Sequence, residues 1–173
     1  MDIKYKLIKN FGPSIFAAKI PDDVMTKLNK YVDQTIENQK KSKELDYGEN
    51  LVGDVTQEIK IDKNTIQDSG WLNFLGTCTK KWIELETNKK ITKFNLKQTW
   101  VVRQFKNEYN PIHWHSGHIS GAGFLKIPKS FGNFTQKKQN KNYCGGHLEL
   151  IHGSRMFLSS SKFEIIPQVG DFF

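Results

Sequence analysis

The run Phe94-Asn95-Leu96-Lys97-Gln98-Thr99-Trp100-Val101-Val102-Arg103 alternates between two sets of side chains. Successive side chains of an extended chain point to opposite faces. Phe94, Leu96, Gln98, Trp100 and Val102 therefore share one face, and the other set is mostly polar. That period of two predicts a strand, with Gln98 and Trp100 turned inward. Most of the chain after Arg103 also reads as strand. Asn107 to Pro111 predicts a turn and Ile112 to His115 a short extended run. His118 to Ile127 predicts a strand closed by Pro128, and His147 to Ile151 and Phe163 to Ile166 two more. Gly170-Asp171-Phe172-Phe173 begins another. The polar stretch 132–142 predicts a hairpin or loop.

The part before this run reads differently. Tyr5, Leu7 and Ile8 predict a short strand, followed by a turn at Gly12-Pro13 and then Ile15, Phe16 and Ile20. Pro21-Asp22-Asp23 is a helix start, because proline and acidic residues suit a first turn. Val24, Leu28, Tyr31, Val32 and Ile36 then recur at helical spacing, until the lysine-rich stretch Lys40 to Lys43. A polar loop with Gly48, Asn50 and Gly53 comes next. A second helix is expected from Asp68-Ser69, with Leu72, Leu75, Cys78, Trp82 and Ile83 as its apolar stripe and its end before Asn88. Helices followed by about six strands predict an α+β protein, its helices packed outside an antiparallel sandwich or jelly roll. The chain of 173 residues reads as one domain, with a helical and mixed part over 1–92 and a strand-rich part over 93–173.

Composition narrows the class. With 37% hydrophobic and 25% charged residues, the chain is too apolar to be disordered. No apolar run reaches the ~18–20 residues of a membrane span, and the N-terminus has no signal-peptide core, so no membrane partner is expected. Two cysteines, Cys78 and Cys144, exclude a disulfide scaffold and a four-thiolate zinc site, and fit a reducing cytoplasm. The net charge of +8 comes almost entirely from scattered lysines; Arg103 and Arg155 are the two arginines. Recognition of nucleic acid leans on arginine forks and interleaved aromatics, so a nucleic-acid partner is not expected.

The chemistry concentrates in Asn110-Pro111-Ile112-His113-Trp114-His115-Ser116-Gly117-His118. His113 and His115 are two apart and share a face, with Trp114 opposite. Two neutral imidazoles so placed can converge on a metal at bond lengths of ~2.0–2.2 Å. The small side chains of Ser120-Gly121-Ala122-Gly123 leave room for a cofactor beside them. Hydrogen-bonded core histidines or a chance pairing at the surface, and a barrel corner or bulge at the glycines, are the alternatives.

The order Gln98-Thr99-Trp100-Val101, then Asn110-Pro111-x-His113-x-His115, then Ile119-Ser120-Gly121-Ala122-Gly123-Phe124-Leu125-Lys126-Ile127-Pro128 resembles the 2-oxoglutarate/Fe(II)-dependent oxygenases of phages and marine bacteria, distant relatives of prolyl hydroxylases. Gly145-Gly146-His147-Leu148-Glu149-Leu150 and Pro167-Gln168-Val169-Gly170-Asp171-Phe172-Phe173 extend the resemblance over 94–173. The resemblance implies a double-stranded β-helix of jelly-roll, cupin-like form. It also implies Fe(II) and 2-oxoglutarate as cofactors, O2 and a small-molecule or peptide substrate as partners, and a bacterial or phage-infected cytoplasm. In such enzymes two histidines and a carboxylate hold the iron. His113 and His115 are the metal ligands expected here, and Gln98, Trp100, Ser120 and Lys126 the cofactor-binding residues. Lys126 could pair with a carboxylate of the 2-oxo acid or extend outward, and Arg103 likewise.

Two departures stand out. His115 occupies the usual carboxylate position. The metal could be held by three histidines, or His115 could be the first ligand with Gly117 leaving the carboxylate position vacant, as in halogenating relatives. Glu108 or Glu149 could also swing in. The distal histidine and the basic residue after it would lie past Phe173, and no histidine follows His152. The expectation is a chain cut short at its C-terminus, its final strands missing, binding iron weakly and inactive by itself. His118, His147 and His152 are expected to be non-ligands, and Cys78 a buried hydrophobe.

Two other readings stay open. One is a cupin-like metal protein that does not use 2-oxoglutarate. Its motif wants a glycine where Asn107 stands and a glutamate soon after His115, whereas the next is Glu149. The other is a non-enzymatic jelly-roll binding module whose histidines hold nothing.

Overall fold

A computed structural model describes residues 2–8, 12–131, 145–158 and 160–173. The hairpin or loop expected over 132–142, and Cys144, lie outside the described residues. In chain order the elements are β1 (Tyr5–Ile8), β2 (Ile15–Lys19), α1 (Asp22–Glu37), α2 (Gln39–Glu44), β3 (Gln57–Lys60), α3 (Lys63–Asp68), α4 (Trp71–Thr87), β4 (Trp100–Arg103), β5 (Leu148–Ile151), β6 (Lys162–Ile165) and β7 (Asp171–Phe172). The strands described form antiparallel sheets of three, two and two strands. The chain divides into two compact units, one of residues 21–121 and one of residues 2–20 with 122–173.

In the unit of residues 21–121, α1 begins after Pro21 with Asp22 and Asp23 in its first turn, where carboxylates complement the helix dipole. Val24, Leu28, Tyr31 and Val32 are buried along the expected stripe, and Thr35 completes it. The lysine-rich stretch is not a loop. It forms α2, because Asn38 caps it by accepting a hydrogen bond from the Lys41 N–H. The predicted second helix is α4, and a short helix with no counterpart in the sequence reading, α3, precedes it. α3 ends at Asp68, and Gly70, at φ +85°, takes the left-handed conformation that turns the chain into α4. The buried residues of α4 are Trp71, Phe74, Gly76 and Cys78; Cys78 is buried as expected, while Leu72, Leu75, Trp82 and Ile83 of the predicted stripe are half-buried. Asn88, left-handed at φ 55°, ends it where expected.

β3 arises where the sequence suggests only a polar loop. It pairs with β4 from Gln57↔Arg103 to Lys60↔Trp100, burying Glu58 and Ile59. The predicted 94–103 strand is confined to Trp100–Arg103. Before it, Thr99 still accepts a backbone hydrogen bond from Ile61 at 3.2 Å, and α4 holds this stretch. The Phe94 ring fills the space beside Gly76, and the Trp71 indole N–H donates to Thr99 Oγ1 at 3.2 Å.

Asp62 caps α3 by accepting from the Thr65 N–H at 2.8 Å, and its backbone N–H donates to the Tyr31 hydroxyl. Burial alone would raise this carboxyl, but the Thr65 hydrogen bonds and the nearby Lys41 ammonium bring it below its ordinary value. Its ionised form therefore favours the fold above the ordinary carboxylate range, and that contribution is lost as pH falls through the lowered value. Asp62→Ala is expected to cost about 1 kcal/mol at pH 7, the usual loss of a cap, and less at pH 3. Urea unfolding at the two pH values checks it.

In the unit of residues 2–20 with 122–173, β1, β2 and β7 run antiparallel in that order, with Tyr5↔Ala18 to Ile8↔Ile15 and Ala18↔Phe172 in register. Ile15, Phe16 and Ala18 are buried, and Tyr5 stacks on Phe16 at 5.5 Å between ring centroids. Of the predicted 118–127 strand, a bridge between Gly123 and Phe172 is present. Beside it, Ala122 and Phe173 exchange two backbone hydrogen bonds. β5 and β6 form a hairpin pair from Leu148↔Ile165 to Ile151↔Lys162. No helix among the described residues is long and apolar enough to cross a membrane.

Candidate metal centre

The segment that carries His113 and His115 leaves β4 through a loop with several fixed points. The Glu108 carboxylate clamps it. Its Oε1 accepts from the Thr56 backbone N–H at 3.1 Å and the Thr56 hydroxyl at 2.6 Å, and its Oε2 accepts from the Phe105 N–H at 2.7 Å. The Thr56 hydroxyl bond, then the Phe105 bond, holds the Glu108 carboxyl below its ordinary value. The Gln104 side-chain amide donates to the Glu108 carbonyl, and Asn107 takes φ 71°, a left-handed turn that asparagine tolerates. Asp54 and Tyr109 then exchange backbone hydrogen bonds of 2.9 and 3.3 Å. Beside that bridge a Cβ at Gly53 would overlap Asn110 Oδ1, so a side chain there requires the Asn110 side chain to move. Gly53→Ala is expected to displace the Asn110 side chain beside Pro111. The His113 and His115 ring resonances in an NMR spectrum should shift, and unchanged resonances would show that the clamp does not position them.

From Pro111 the chain brings the two imidazoles together. The rings of His113 and His115 meet edge to face, with centroids 4.8 Å apart, and their Nε2 atoms are 3.1 Å apart. His113 Nδ1 lies 2.7 Å from the Pro111 carbonyl, to which it donates as N–H. That bond leaves the lone pair of a neutral His113 on Nε2, the tautomer a metal requires. His115 Nε2–H then donates to His113 Nε2. Partial desolvation, and next the His113 ring, hold His115 below the ordinary imidazole value. Its neutral form therefore prevails at pH 7. Trp100, at the start of β4, lies against His115 with ring centroids 5.4 Å apart, and also meets Tyr47 at 5.7 Å. Trp114 is 91% exposed, so the alternation along 113–115 places one large ring in solvent and two imidazoles together.

The separation bears on which metal geometry the pair suits. Two bonds of ~2.1 Å at a right angle put their donor atoms ~3.0 Å apart, whereas a tetrahedral angle opens this to ~3.4 Å. The observed 3.1 Å matches neighbouring positions of an octahedron. The same distance is that of an ordinary N–H···N hydrogen bond, which the pair forms here. Among the described residues, no group of three or more His, Cys, Asp or Glu could hold a metal ion.

Trp100 is brought to His115, while Gln98, Ser120 and His118 are exposed. Lys126 is exposed and belongs to the unit of residues 2–20 with 122–173. Arg103 donates to Gln57 Oε1 at 2.6 Å across β3 and β4. Glu108 is committed to its loop and Glu149 to Lys162. His147 pairs with Glu164 at 2.6 Å. Cys78 is buried, and desolvation pushes its thiol up to about 12, which rules it out as a nucleophile near pH 7. The role of Glu108 is not legible in the sequence, because its partner Thr56 is far away along the chain; the turn signal at Asn107 is its only trace. The chain matches no family model, and no curated protein or solved structure matches it.

Proposed function

We propose that this chain belongs to an Fe(II)- and 2-oxoglutarate-dependent oxygenase, a hydroxylase of a small molecule or peptide, with His113 and His115 as two neighbouring ligands of the iron. The observation that carries the reading is the 3.1 Å between the two Nε2 atoms, on rings held by Pro111 and Trp100. The ordered motifs from Gln98 to Phe173 support it from the sequence side, and with them the proposed double-stranded β-helix. Iron with 2-oxoglutarate and O2 supplies the oxidising chemistry, the 2-oxo acid being converted to succinate. What the chain's own residues do is bind and orient. The Pro111 carbonyl fixes the His113 tautomer, His115 would present Nε2 by carrying its single ring proton on Nδ1 instead, and Trp100 limits the swing of the His115 ring. With two protein ligands at hand, the expected affinity for iron is weak.

Calorimetry under anaerobic conditions tests this. Fe(II) should bind the chain, and 2-oxoglutarate should bind the iron-loaded chain and not the metal-free one. Absence of 2-oxoglutarate binding to the iron-loaded chain contradicts the proposal. Metal binding that 2-oxoglutarate leaves untouched points instead to a cupin-like metal protein of different chemistry.

A further inference from the structure

Within the unit of residues 21–121, Glu58 sits at the second position of β3. It is 3% exposed, and its Oε1 has no hydrogen-bond partner. A buried carboxylate with open lone pairs is costly unless it takes up a proton, water or a cation. Glu58 lines a cavity of about 80 Å³ together with Asp46, Ser42, Thr56 and Lys43. That is several times the ~10–15 Å³ needed by one water. Asp46 Oδ1 and Glu58 Oε2 lie 3.4 and 3.5 Å from the point a Gly48 Cβ would occupy. These two carboxylate oxygens are therefore no more than about 7 Å apart, on either side of the space a Gly48 side chain would take.

The surroundings are acidic. Burial first, then Asp46 and Glu108, push the Glu58 carboxyl above its ordinary value. Thr56 spends its hydroxyl proton on Glu108, which leaves its oxygen lone pairs for a ligand. Asp46, which also lines the cavity, accepts from the Gly48 N–H through Oδ1 at 3.0 Å. Among the described residues no ion pair joins Lys43 to either carboxylate.

We propose that Asp46 and Glu58 form a binding site for a calcium ion, its shell completed by the Thr56 and Ser42 oxygens and by water. Two hard carboxylates with hydroxyls in an irregular cavity suit calcium, which takes six to eight oxygens in flexible geometry. Imidazole plays no part, so the site is independent of the histidine pair. Two protein carboxylates make a weak site, with a Kd on the order of 10⁻⁴–10⁻³ M.

Calcium chloride titrated into the full chain, against matched ionic strength, tests this by calorimetry and thermal melting. The expected result is saturable heat and a saturable rise in Tm. Both should be lost in Glu58→Gln and retained in His113→Ala. Should Glu58→Gln not fold, Gly48→Ala serves, since it keeps both charges and places a methyl between them; a roughly tenfold weaker calcium affinity is expected. The proposal is overturned if wild-type chain gives neither heat nor a Tm rise at about 10 mM calcium, or if Glu58→Gln or Gly48→Ala responds as wild type does.

Discussion

His113→Ala and His115→Ala are each expected to lower the affinity for Fe(II) by at least about 100-fold, since even residues that merely orient a ligand are worth 10–100-fold. Each substitution removes one of the two nitrogens that face each other at 3.1 Å. Neither ring is part of the core, because every residue from 111 to 120 is exposed, so the melting temperature of the metal-free chain should barely move. The pH dependence has a definite sign. His115 is held below its ordinary value, chiefly by desolvation, so its proton binds more readily in the unfolded chain. Metal uptake and the His115 contribution to stability are both present above ~6.5 and are lost as pH falls through the lowered folded value. Metal binding followed from pH 8 to pH 5 in wild type and in the two variants checks both points. Unchanged affinity in either variant would remove that histidine from the ligand set.

Phe74→Ala is expected to cost about 3–5 kcal/mol, the range for deleting a fully buried aromatic ring. Phe74 has no exposed surface, stacks on Trp71 at 5.5 Å, and lies on the buried stripe of α4. The loss would lower Tm by roughly 10 °C or more in a chain of this size. The consequence reaches the candidate site by a traceable route. α4 holds Thr99 through Trp71, and Thr99 directly precedes the β4 strand that presents Trp100 to His115. By contrast Leu75→Ala, which truncates a half-buried side chain in the stripe predicted from the sequence, should cost markedly less. Thermal melts of the two variants side by side decide between the observed buried residues of α4 and the predicted ones.

The parts of the fold that can be read in the sequence are those whose signal is local. Pro21-Asp22-Asp23 starts α1 by its own chemistry, and Tyr5–Ile8, Ile15–Lys19, Leu148–Ile151 and Lys162–Ile165 carry enough apolar side chains to read as strands. α2 has no apolar stripe in its sequence, QKKSKE, and rests on the Asn38 cap, so periodicity does not reveal it. β3 hides because Glu58 is a charged residue that the fold buries. In α4 the apolar residues run nearly all round, so their spacing leaves the buried face open; contact with Phe94 and Thr99 selects it. Likewise 94–99 alternates like a strand, but its partner β3 is only four residues long and ends at Lys60, opposite Trp100. For the candidate site, the His-x-His step is legible because residues two apart share a face. The Glu108 clamp and the Asp46 and Glu58 cavity are not, because each joins residues distant in sequence.

If the two imidazoles grip one ion, X-ray absorption at the iron edge of the Fe(II)-loaded chain will show it, since imidazole rings leave a characteristic multiple-scattering signal. The expected spectrum has six nitrogen and oxygen neighbours near ~2.1–2.2 Å, two of them imidazole, falling to one in His113→Ala and in His115→Ala. A wild-type spectrum with no imidazole signal, or one that the two substitutions leave unchanged, would contradict it.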